Sequence, residues 1–355
     1  MLLVLLMSLS SCDFEEGNKE QMVNLQEVKD DPAAQLQNLN AAIENSKRDG
    51  SLYARRAVVL LQKSNLEQAL QDAEEAVRLT KKEPYTLFVK AQVLRAMGKP
   101  EEALPLALTA ERNSYQSASL YVLLGELYLQ RKEYKQAMEY VRKAQELSPA
   151  DEFAFYYKGR VQEATGDSAK ALQNYKLALE QAPDFMQPQR ELAALLVGKG
   201  EFYAAKPYLQ SAIKKAPEDA KLWYNKGIVY QVDQKQDSAM QAFAKAVSIN
   251  DTLSGAQYKL GVHQLTLGNN EEALEHLEKI YHNKKYKLNQ EYLIKLATAY
   301  ERTGLYTKAL TTYERLLKID PTATYANRSI ARLKYKVERP IPDSAAVRLQ
   351  EQIER

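Results

Sequence analysis

The stretch AKLWYNKGIVYQVDQKQDSAMQAFAKAVSINDTL, residues 220–253, decides the fold. Its small residues Gly227, Ala239 and Ala246 stand 12 and then 7 residues apart, with Trp223, Tyr230 and Phe243 as bulky neighbours. This pattern predicts two antiparallel helices. Such a pair packs tightly only where the facing side chains are small and larger ones fill the grooves beside them.

The pattern repeats outward in both directions. Small residues recur every 34 residues at Ala57, Ala91, Gly125, Gly159, Ala193, Gly227 and Gly261. Ala297 continues the series after a two-residue insertion at Leu288 and Asn289. Twelve residues beyond each of these lies an alanine: Ala69, Ala103, Ala137, Ala171, Ala205, Ala239, Ala273 and Ala309. Seven further on come Ala76, Ala110, Ala144, Ala178, Ala212 and Ala246, then Ile280 and Leu316. Gly98, Gly166, Gly200, Gly268 and Gly304 fall between the two helices of a unit, where a left-handed C-cap favours glycine. Pro84 and Pro188 fall in first turns, where the missing N–H costs nothing.

A fixed step of this length marks a solenoid. With Trp223, Gly227, Tyr230, Ala239, Phe243 and Ala246, and with Pro149, Pro183, Pro217 and Pro321 at unit ends, the chain resembles the tetratricopeptide-repeat (TPR) family. The resemblance implies an all-α fold, an α-solenoid in the form of a right-handed superhelix of about eight helix-turn-helix repeats. The repeats are placed at 50–83, 84–117, 118–151, 152–185, 186–219, 220–253, 254–287 and 290–323. An N-terminal capping helix is expected within 32–49 and a C-terminal one at 324–338, followed by a tail at 339–355. A related helical-repeat family reads RNA with a period of 35. The step of 34 and the alanine set do not fit it.

The 355 residues carry a net charge of +3 on 49 basic and 46 acidic side chains, so no bulk charge points to nucleic acid. The single cysteine, Cys12, rules out an intramolecular disulfide. It ends an apolar run, MLLVLLMSL, followed by Ser10-Ser11. The run is too short to span a bilayer as a helix. Leu9-Ser10-Ser11-Cys12 resembles the lipobox of bacterial lipoproteins, although no Lys or Arg precedes the run. The resemblance implies a signal peptide at 1–11, a lipidated Cys12 and a membrane-anchored protein of the cell envelope, on the periplasmic side or the outer membrane. Residues 12–31 hold seven acids and two lysines and are expected to act as a solvated tether.

No catalytic or metal-binding set is legible. His276 and His282 are six residues apart, which puts them on different faces of a helix or in a loop, not at zinc-ligand spacing. There is no phosphate-cradling glycine loop, and Ser211-Ala-Ile-Lys214 lacks companion motifs. The expectation is a non-enzymatic protein with no cofactor and no small-molecule substrate.

In the TPR family, ligands contact positions two, five and nine of the first helices, which line the concave groove. Carried over residue by residue, these positions concentrate aromatics and cations in the middle repeats: Phe153, Tyr156, Arg160, Arg190, Lys221 and Tyr224, with Phe88 and Tyr258 to either side. Aromatics and Arg are typical of binding hot spots. TPR co-chaperones hold a C-terminal carboxylate with Lys, Asn and Arg at fixed positions, and only Lys221 and Asn225 echo that set. The expected function is a protein–protein scaffold or adaptor. It would bind segments of other envelope proteins through this groove, without nucleic acid. The alternatives are a carbohydrate-capture lipoprotein of nutrient uptake, which would need insertions the repeats do not show, and a non-catalytic subunit of an envelope enzyme complex.

Overall fold

The computed structural model describes residues 31–338. The expected signal peptide, Cys12, the tether up to residue 30 and the tail 339–355 lie outside the described residues. All regular structure among the described residues is α-helical. None of these helices is long and apolar enough to cross a membrane.

The contacts divide the chain into two compact units, one ending at Pro149 and one beginning at Ala150, a division that the unbroken 34-residue step does not announce. The first unit contains α1 (Pro32–Asn45), α2 (Gly50–Gln62), α3 (Leu66–Leu79), α4 (Pro84–Ala96), α5 (Pro100–Arg112), α6 (Ala118–Gln130) and α7 (Tyr134–Leu147). The second contains α8 (Glu152–Ala164), α9 (Ser168–Gln181), α10 (Met186–Gly198), α11 (Phe202–Lys215), α12 (Ala220–Val232) and α13 (Gln236–Ile249). It continues with α14 (Ser254–Leu267), α15 (Asn270–Glu278), α16 (Gln290–Arg302), α17 (Tyr306–Ile319) and α18 (Thr324–Glu338). Within each unit the first and second helices of a repeat pack as a pair, and successive pairs stack.

Local chemistry sets the ends. Asp49, Ser117, Asp151, Asp219 and Asn289 each accept a hydrogen bond from a backbone N–H in the first turn of the helix that follows. The residue closing each first helix lies in the left-handed region at Gly98, Gly166, Gly200, Gly268 and Gly304, and also at Ser64, Lys132 and Gln234. The turn therefore has one geometry in all eight repeats, and three of them impose it on a residue that carries a Cβ.

The alanine series lies at the helix contacts. Ala69, Ala103, Ala137, Ala171, Ala205, Ala239, Ala273 and Ala309 are all fully buried. A Cβ placed on Gly125, Gly159, Gly227 or Gly261 would come within 2.8 Å of Val141, Tyr175, Phe243 or Leu277 respectively. Glycine in the first helix thus makes room for the large side chain that fills the second.

In the first unit, Arg56 forks onto Asp72 with two 2.7 Å hydrogen bonds and donates a third, 2.8 Å, to Asn40. One guanidinium thereby ties α1, α2 and α3 together. In the second unit, α15 stops after 9 residues, where the other second helices have 13 or 14. The chain then crosses 279–289, anchored by Tyr286, which is buried against Tyr258 and Tyr292 at ring distances of 5.4 Å.

Candidate functional site

Seven of the eight groove residues named from the sequence fall in the second unit, and the structure separates them into core, ion-pair network and accessible surface. Phe88, in the first unit, is 4% exposed and packs on Tyr115 at 5.3 Å. Tyr156 is also 4% exposed, wedged among Tyr157, Tyr175 and Phe185. Both are corrections to the sequence reading. An aromatic ring at position five is large enough to stack on the aromatic side chains of its own repeat's second helix and closing loop, and it is spent there. Tyr224 is half-buried against Phe243 at 5.7 Å, and Gly255 of the next repeat leaves room for its ring, since a Cβ there would lie 2.8 Å from it. The Tyr258 hydroxyl donates to Glu291 at 2.7 Å.

The two arginines are not free cations. Arg160 donates to the Tyr156 hydroxyl at 2.8 Å and stands 3.6 Å from Glu191. Arg190 donates to the same Glu191 at 2.8 Å and lies 3.9 Å from Asp219. Burial disfavours charge at Arg160, but Tyr156 and Glu191 outweigh it and hold the guanidinium above its ordinary value. Burial likewise opposes the charge at Arg190, and Glu191 more than compensates. Burial alone pushes the Tyr224 hydroxyl up. The expected basic centre is therefore an Arg–Glu–Arg arrangement with Asp219 at its edge.

What remains accessible is Phe153, 46% exposed and packed at a tilt on Phe185 at 4.9 Å, and Lys221, which is exposed and has no side-chain partner. Lys221 stands on the first turn of α12, where its backbone N–H is capped by Asp219. It shares a cleft of about 420 Å³ with Arg190, Glu191, Asp219, Asn225 and Asn250. Sequence reasoning missed Glu191, Asp219 and Phe185. The available signal was spacing: opposite charges about 31 residues apart meet across neighbouring repeats. Arg160 with Glu191, Lys215 with Asp184 and Arg332 with Glu301 all follow it.

Among the described residues no group of three or more His, Cys, Asp or Glu could hold a metal ion. His276 is half-buried, bonded through Nδ1 to Gln257 at 2.6 Å, and burial lowers its pKa.

Family models described as tetratricopeptide repeat match residues 88–152, 190–253 and 256–324, and another with the same description matches 153–184. BBSome complex member BBS4 of Bos taurus is 23% identical over 240 residues, covering 68% of this chain and 46% of that protein. This chain thus spans less than half of that relative's length. Among solved structures, the APC/C hetero-tetramer Cut9–Hcn1 aligns with a TM-score of 0.58 at 17% identity, over 85% of this chain and 58% of the other. Pseudomonas aeruginosa pilF aligns with a TM-score of 0.52 at 19% identity, over 60% of this chain and 97% of the other. These two likenesses are of fold.

Proposed function

Because this chain belongs to the tetratricopeptide-repeat family, we propose that it is a non-enzymatic scaffold of the bacterial cell envelope, held to a membrane by a lipid on Cys12, that binds a segment of another envelope protein along the first helices of repeats four to six. The repeats themselves make a protein-interaction scaffold, and membership of a multiprotein complex in BBS4, by its name, supports the same reading. The lipobox Leu9-Ser10-Ser11-Cys12 supports the anchor.

The observation that carries the binding site is an unpartnered Lys221 in the Arg190 cleft of repeat six, with an exposed Phe153 at the same helix position two repeats earlier. An exposed apolar ring on the first helix of repeat four and an unpartnered cation on that of repeat six suit an extended segment that presents an apolar anchor and, two repeats further along, a single carboxylate. A strongly acidic ligand is not required, since Glu191 and Asp219 already neutralise the arginines. Glu191 sits between the two guanidiniums and would repel further negative charge if it lost either of them.

The test is affinity capture from detergent-solubilised membranes with the wild-type chain and a Phe153→Ser/Lys221→Glu variant. Both side chains lie at the surface, so helicity should be unchanged and melting should fall only slightly, through the lost contact of Phe153 with Phe185. The variant should lose the partner that the wild type retains. Undiminished capture by the variant would move the working surface elsewhere.

A further inference from the structure

The excess positive charge of the described body is concentrated at one end of the second unit. Residues 279–338 carry 13 Lys and Arg against 5 Asp and Glu, whereas residues 31–278 carry 31 against 32. The concentration begins where the repeat pattern is interrupted, in Lys279-Ile-Tyr-His-Asn-Lys-Lys-Tyr-Lys-Leu-Asn289. Here α15 ends early and the two-residue insertion Leu288-Asn289 lengthens the connection. Asn289 has a local use, since its side chain caps α16 by accepting from Tyr292. Leu288 has none in the fold: it is 66% exposed.

The segment is held in one conformation. Tyr286 is buried between Tyr258 and Tyr292, and Arg315 of α17 donates to the Tyr281 hydroxyl at 3.1 Å and to the Lys287 carbonyl at 2.8 Å. The Lys285 backbone N–H is bonded to Asn283, whose side chain reaches Ser254 at 3.2 Å. The side chains of Lys284, Lys285 and Lys287 are exposed, and none has a carboxylate partner. Lys318 lies one helical turn beyond Arg315, also exposed and unpaired, and adds to the same edge.

We propose that this edge rests on an anionic lipid surface, with Lys284, Lys285, Lys287 and Lys318 against the headgroup phosphates and Leu288 entering the interface. Lysine is a hydrated point charge on a flexible stem. It suits a diffuse field of phosphates better than a single bidentate anion, for which arginine is the better residue. A lone exposed leucine amid lysines pairs an apolar anchor with electrostatic attraction, the two forces that hold peripheral surfaces to bilayers. The inference is independent of the groove.

The test uses the chain without residues 1–12, so that neither the apolar segment nor a lipid anchor contributes, in co-sedimentation with vesicles of phosphatidylglycerol and phosphatidylcholine or of phosphatidylcholine alone. Binding should require the anionic lipid and weaken with salt. Each lysine near the surface contributes about fivefold in partitioning, so Lys284→Gln/Lys285→Gln/Lys287→Gln should reduce binding on the order of 100-fold. Leu288→Ser should reduce it severalfold at every salt concentration. Phe153→Ser/Lys221→Glu should leave it unchanged, which keeps this surface distinct from the groove. Equal binding to neutral vesicles, or indifference to the lysine substitutions, would overturn the proposal. So would indifference to Leu288→Ser together with full competition by soluble polyphosphate, which would assign the lysines to a dissolved polyanion.

Discussion

Gly227 and Phe243 approach so closely that a Cβ on the glycine would lie 2.5 Å from the phenyl ring. The ring is fully buried and fills the space between α12 and α13. Gly227→Ala should therefore overpack this contact and cost about 1–3 kcal/mol. Adding Phe243→Leu should recover part of the loss, because repeat five packs Ala193 and Leu209 at the same two positions. Denaturant midpoints of the two single variants and the double variant check this. A double variant as unstable as the sum of the singles would contradict the packing account.

The left-handed residue that closes each first helix gives a second prediction. Gln234 adopts a φ of 61° where Gly268 of the next repeat adopts 86°. Gln234→Gly should relieve the Cβ clash and stabilise the chain by about 0.5 kcal/mol, the entropy of the freer unfolded glycine offsetting the rest. Gly268→Ala should destabilise by about 1 kcal/mol. Thermal melts of both variants should move in opposite directions.

His276 sets a pH dependence. Burial lowers its pKa in the folded chain, so the unfolded chain binds the proton more readily. Its contribution to stability is present above the ordinary histidine value near 6.5 and is lost as pH falls below it. Melting temperature should drop between pH 7.5 and 5 by more in the wild type than in His276→Asn. Parallel pH profiles would show that His276 carries no part of the loss.

The lipobox predicts acylation. Cells given a labelled fatty acid should label the wild-type chain, and Cys12→Ala should release the protein from membranes with the label lost. Retention of the variant on membranes with its apolar segment uncut would exclude the anchor. Vesicle-type binding through Lys284 to Lys287 would be removed by salt and so can be told apart from it.

The sequence by itself determined the fold class, because a solenoid is built from contacts between residues near in sequence. The small side chains at Gly227, Ala239 and Ala246 specify a helix pair wherever they recur, and the left-handed caps follow from glycine placement. The candidate site was only half legible. Position five marks Tyr156 and Tyr224 alike as groove residues, yet one is core and the other half-accessible: Phe185, at the end of its own repeat, folds back over Tyr156, whereas Tyr224 meets Gly255 of the next repeat. Charge was misread for the same reason. Arg160 and Arg190 count as basic in a composition, and only stacking the repeats brings Glu191 between them. Tertiary structure alone also showed that Leu288 stands out from the body, because a two-residue insertion can be absorbed into a helix, a turn or an exposed edge without changing the sequence pattern on either side.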